Sequence, residues 1–186
     1  IPMILLAGDV EGYSHVRLNN RVGLEDAFTH LVTTCKCKKI GFISGPKTNQ
    51  DAIERLQVFY DSMEKHHLDC GEDWVSYGDF SEFSEHAVEE LLDRHPDIEA
   101  IAFANDQMAI GGYKVFERRG IVPGRDIYVT GFDDSTVAMQ LEPHLTTVRA
   151  DAKELAYHAV KECPNIIAGE LVQKEVNSRL IVRASS

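Results

Sequence analysis

Residues 98–135, IEAIAFANDQMAIGGYKVFERRGIVPGRDIYVTGFDDS, decide the fold. Two apolar runs end in paired carboxamide or carboxylate side chains, Asn105–Asp106 and Asp133–Asp134, and between them Gln107 to Gly120 has helical spacing. A strand, a helix and a second strand in that order make the strands parallel neighbours, so both finish on the same edge of a sheet. Open α/β sheets bind ligands outside that edge. The spacing therefore predicts two polar strand ends facing one crevice.

The same plan occurs twice upstream. KKIGFISG (38–45) is a buried-strand run ending at Ser44-Gly45-Pro46, followed by a helix over about residues 50 to 66 that carries Arg55. DWVSYGD (73–79) ends at Asp79–Phe80, and the next helix runs from about Ser84 to Arg94 and stops ahead of Pro96. It stops there because the residue before a proline avoids the helical region. Successive βα units of about 25 to 35 residues predict an α/β fold with a doubly wound parallel sheet.

The ends of the chain follow similar rules. IPMILLAG and HVRLNN read as short strands, and VGLEDAFTHLVTTC as an amphipathic helix with Leu24, Ala27, Phe28 and Leu31 on one face. EPHLTTVRAD reads as extended, AKELAYHAVKECPNIIAGE as a helix interrupted at Pro164, and LVQKEVNSRLIVRASS as a closing strand.

Composition bounds the function. The chain has 186 residues, 44% of them hydrophobic, enough for a substantial core. Its formal charge of −11 opposes a nucleic-acid backbone, since that affinity comes from Lys and Arg displacing counterions. No apolar run is long enough to span a bilayer, and IPMILLAG is too short and lacks the basic flank of a signal peptide. The opening at Ile1 leads to the expectation of further sequence upstream. Cys35 and Cys37 in TTCKCKK have no second ligand pair at zinc spacing, and Cys70 and Cys163 are remote, so reduced structural thiols and no metal are expected. The eight histidines are scattered, with His66–His67 placed at an exposed helix end, and none adjoins a nucleophile in an elbow pattern. No carboxylate spacing fixes an acid against a base and no glycine loop cradles phosphate, so neither enzyme activity nor a cofactor is expected.

VRLNNRVGLEDAFTHLV, KKIGFISGPKTNQDAIERLQVFYDSM, YGDFSE, AIAFANDQMAIGGYKVFERRGIVPGRDIYVTGFDDS and LEPHLTTVRAD, in this order and spacing, resemble the ligand-binding core of the LacI/GalR transcriptional regulators. The resemblance covers nearly the whole chain and implies a type I periplasmic-binding-protein fold, two lobes joined by three crossing strands with ligand in the cleft. It puts residues 1–18 and 150–175 in a partial N-terminal lobe and 19–149 and 176–186 in the C-terminal lobe. The helix-turn-helix headpiece, the hinge helix and the first half of the N-terminal lobe would precede Ile1.

The resemblance also implies roles. Arg55 stands at the cleft arginine of an RxxGF pattern, a fork of donors for hydroxyls or a carboxylate. Asp133 would accept from hydroxyl or ring N–H groups, Asn105 would supply donor and acceptor, and Phe80 would cover the apolar side of a sugar or purine ring. Each has a structural alternative. Arg55 could pair with Asp51 or Glu54, Asp133 or Asp134 could cap a turn, Phe80 could be core, and Asn105 and Asp106 could both cap the helix from Gln107. Capping is the preferred reading for Asp106 and for Asp134. Met108, Ile110 and Val115 read as helix packing. Val58 replaces the pattern's glycine and TTCKCKK a Gly-His turn, while Leu6 and Ala7 stand where sugar-binding members place a polar group, which counts against a simple hexose.

The function implied is a small-molecule (sugar or nucleoside-like) sensing and dimerising core of a LacI/GalR-type regulator. It would be a cytoplasmic homodimer, off the membrane, that reaches DNA only through a headpiece outside this sequence. Two alternatives are a LacI-like sensor fused to a signalling output such as a diguanylate cyclase, and a periplasmic sugar-binding protein.

Overall fold

The computed structural model describes residues 1–8 and 10–186. Among these, strands β3 (Ile40–Ser44), β4 (Val75–Tyr77), β5 (Ala100–Phe103), β6 (Tyr128–Asp133), β7 (Thr146–Arg149) and β9 (Arg179–Ile181) form one sheet in the order β4-β3-β5-β6-β7-β9. All neighbours are parallel except β7 and β9. A second, parallel sheet, β1-β2-β8, is built from β1 (Ile4–Leu6), β2 (Ser14–Asn19) and β8 (Gln173–Asn177).

Burial on both faces explains the continuous apolar strands. Every residue of β3 and β5 is buried, as a parallel sheet covered by helices requires. The chain leaves β3 for β4, then reverses across β3 to reach β5 and β6. Right-handed crossovers in opposite directions put helix α2 (Gln50–Lys65) on one face and α3 (Glu85–Arg94) and α4 (Asp106–Arg119) on the other. Helix α1 (Asn20–Thr33) packs beside α2, and α3 beside α4. Under α1 and α2, Phe28, Phe42 and Phe59 form a buried cluster in which Phe42 and Phe59 stack at 5.3 Å between centroids. An aromatic-to-alanine change in such a core costs about 3–5 kcal/mol. The opposite surface is laced by ion pairs of Glu85 and Glu89 with Arg118 and Arg119.

Two expectations at the C-terminal end need correction. Helix α5 (Ala152–Ile167) continues through Pro164. The proline is exposed in the last turn, so the carbonyl it leaves unpaired can be hydrated, and its own carbonyl accepts from Ala168 N. The closing segment is two strands. It leaves the small sheet at Asn177 and joins the large one at Arg179, with Ser178 between them. Ser178 is buried, donates its hydroxyl to Asn19 O at 2.8 Å and accepts from Gly23 N at 3.0 Å, tying two chain crossings together.

Candidate functional site

The order reversal lies between β3 and β5, where a crevice forms outside parallel strand ends. Arg55 bridges it. It projects from α2, is 7% exposed, donates from Nη1 to Ala104 O at 2.6 Å and from Nε to Asn20 Oδ1 at 3.1 Å, and lies 3.7 Å over the Phe132 ring. These contacts fix the guanidinium across the ends of β5 and β6. Nη2 has no hydrogen-bond partner among the described residues. Burial pushes the guanidinium down, and Asp133, Asp51, Glu54 and Asp106 oppose this through their charge. The expected alternative, ion pairing with Asp51 or Glu54, is replaced by a relay in which Asn20 Nδ2 donates to both, each at 3.0 Å, while its oxygen takes Arg55.

Asp133 ends β6 with φ of 110°, and its carboxylate makes no hydrogen bond or ion pair among the described residues. Burial pushes its carboxyl up to about 6. Arg55 opposes this shift, and Asp106 and Asp51 add to it. A half-buried carboxylate with no side-chain partner leaves its acceptor oxygens open to the crevice.

Asp134 has a different task. It accepts from Arg149 Nε and Arg183 Nη2, each at 2.5 Å, and so ties the β6 end to β7 and to the chain after β9. That overturns its reading as a turn cap. Asp106 is corrected as well. Asn105 is the α4 N-cap, accepting from Met108 N at 3.0 Å, whereas the buried Asp106 carboxylate accepts from Thr147 Oγ1 at 2.6 Å and from Ser135 N at 2.8 Å. Burial pushes the Asp106 carboxyl up. Gly131 makes this placement feasible, since a Cβ there would sit 2.4 Å from Asp106 Oδ1.

Arg55 and Asp133 thus share the edge, while Asn105 and Phe80 stand differently. Asn105 also donates to Phe80 O at 3.0 Å, which leaves one lone pair and one N–H of its amide. Phe80, with φ of 66°, is half-buried against Gly45, where a Cβ would lie 2.3 Å from Cζ. Neither lines the hollows at this edge. One hollow, of about 310 Å³, is lined by Ala7, Arg17, Asp51, Glu54, Arg55 and Leu155 among others, so both sheets contribute. A second, of about 380 Å³, shares Ala150 and Ala152 with it and is lined by Asp133, Asp134, Arg149 and Lys153. Such volumes suit a small metabolite.

Sequence reasoning missed Asn20, Arg17, Asp51 and Glu54 as parts of the site. Arg17 reaches the cleft held by Glu175 at 2.5 Å and Glu54 at 3.5 Å. The available signal was the Asn19–Asn20 pair at a strand-to-helix junction, opposite a helix that opens with Gln50 and Asp51. Cys35 and Cys37 line neither hollow. Burial pushes the Cys35 thiol up and the Cys37 thiol up to about 12, away from thiolate chemistry at neutral pH.

A family model for the periplasmic binding protein-like domain matches residues 29–186. The HTH-type transcriptional regulator CelR of Thermobifida fusca is 32% identical over 179 residues, covering 94% of this chain and 52% of the regulator. The HTH-type transcriptional regulator GalR of Salmonella typhimurium is 34% identical over 173 residues, covering 87% of this chain and 50% of GalR. The chain therefore spans about half the length of these relatives. A solved complex of the regulator CelR with cellobiose superposes with a TM-score of 0.89 at 31% identity, over 98% of this chain and 58% of that one.

Proposed function

The chain belongs to the periplasmic binding protein-like domain family, in its LacI/GalR-type regulator branch, and from that premise we propose that it binds a small sugar-like effector between its two sheets. In this reading β1, β2, α5 and β8 belong to one lobe and the large sheet to the other, with crossings at Asn19–Asn20, Ala150–Asp151 and Ser178. A ligand that bridges the lobes stabilises their closed arrangement, and differential affinity for the closed state shifts the population that permits DNA binding. DNA is contacted by a headpiece outside this sequence, in a cytoplasmic homodimer with no catalytic step.

The observation that carries this reading is the bare Asp133 carboxylate beside Arg55, whose Nη2 is still open. A carboxylate acceptor and a guanidinium donor across one strand edge match adjacent hydroxyls, which both donate and accept. Two sugars are to be titrated: cellobiose, because CelR is solved with it, and D-galactose, a simple hexose of the kind that Leu6 and Ala7 count against. Calorimetry should show one of them binding, and Asp133→Ala should weaken it by about 2–4 kcal/mol, the scale of hydrogen bonds to a buried charge. Affinity unchanged in the variant would remove Asp133 from the site.

A further inference from the structure

The charge around the cleft narrows the ligand class. Four carboxylates, Asp133, Asp51, Glu54 and Asp106, act on the single buried guanidinium of Arg55. The other arginines at this edge are already engaged: Arg17 by Glu175 and Glu54, Arg149 and Arg183 by Asp134. Lys153 stands at the rim among Asp133, Asp134 and Asp151.

A separate observation concerns the helix N-termini, the usual seats for phosphate because their free N–H groups and dipole favour negative charge. Three of those that open on this edge are filled from within the chain. Asn49 caps α2, Asn105 caps α4 and Asp151 caps α5, and Asp51, Asp106 and Glu154 add a negative charge to the respective first turns. At these three termini an incoming phosphate would meet occupied donors and like charge.

We propose that the cleft excludes anions, so that its ligand is an uncharged or ammonium-bearing polyol and not a phosphate ester or sugar acid, with Asp133, Asp51 and Glu54 setting this selectivity. The proposal rests on the reading of this cleft as the ligand site. Asp51 is exposed and Glu54 half-exposed, so both can be neutralised without disturbing the core.

The test uses backbone-amide NMR of the whole chain at constant ionic strength, with inorganic phosphate and ethanolamine titrated separately. Ethanolamine should shift the amides around Arg55 and Asp133 saturably and phosphate should leave them unmoved. The Asp51→Asn/Glu54→Gln double variant and Asp133→Asn should each strengthen phosphate binding by at least about tenfold, the effect of removing a unit charge a few ångströms away. Saturable phosphate binding at Arg55 in the unaltered chain would overturn the proposal. A second arm compares D-galactose with D-galactose 6-phosphate. An ester that binds as well as its parent overturns the charge selectivity and leaves the sugar-site reading standing. Phosphate excluded with no binding of galactose, cellobiose or ethanolamine overturns the polyol assignment and the reading beneath it.

Discussion

Replacing Asp133 by asparagine should make the fold more stable while it damages the site. Burial is the main reason that the native carboxyl sits at about 6 against an ordinary 3.8. The native chain therefore holds a proton that the unfolded chain releases between about pH 4 and 6, and stability falls as pH rises through that window and stays lower above it. The cost at neutral pH is about 3 kcal/mol, as an order of magnitude. Asparagine has the same shape, tolerates the positive φ and carries no charge to desolvate. Urea unfolding of the two proteins should show the variant ahead by under about 1 kcal/mol near pH 4 and by about 1–3 kcal/mol near pH 7. A variant less stable than the parent at neutral pH, or a difference independent of pH, would refute the claim that Asp133 is held open at the expense of stability.

Three other substitutions probe the supports of the site. Arg55→Met removes the only buried cation among these carboxylates and leaves Asn20 Oδ1 and Ala104 O without their donor. Thermal or urea unfolding should show a loss of about 3–5 kcal/mol. Gly131→Ala drives a methyl against Asp106 Oδ1 and against Leu145 Cδ2 at 2.8 Å, with an expected loss of about 1–3 kcal/mol and amide shifts at Ser135 and Thr147. Ser178→Ala removes the hydroxyl that accepts from Gly23 N and donates to Asn19 O at a buried crossing and should cost about 1–3 kcal/mol, with faster hydrogen exchange at Gly23.

The centre of the large sheet was legible because β3 and β5 are buried on both faces and read as apolar runs, each closed by a turn and a helix start. The arginine was legible through the resemblance, and the β6 acid through the resemblance and its strand-end position. What stayed hidden depends on side-chain reach across elements. Asp106 follows the true cap by one residue, and its role is set by Ser135 and Thr147, far along the chain. Asp134 looks like a turn residue until the arginines at 149 and 183 arrive from β7 and from the chain after β9. The split at Ser178 is invisible because no glycine or proline interrupts the run from Gln173 to Ile181, although its two halves pair in different sheets. Pro164 misled for a local reason, since its penalty is small at an exposed last turn.

The most direct measurement is the carboxyl ¹³C titration of Asp133, recorded with and without the sugar that calorimetry identifies. The account expects a midpoint of about 6 in the free chain, lowered by at least about one pH unit by the sugar, because hydroxyl donors favour the ionised form. A midpoint in the ordinary carboxylate range, or one that a bound sugar leaves unmoved, would contradict the assignment of this crevice as the ligand site.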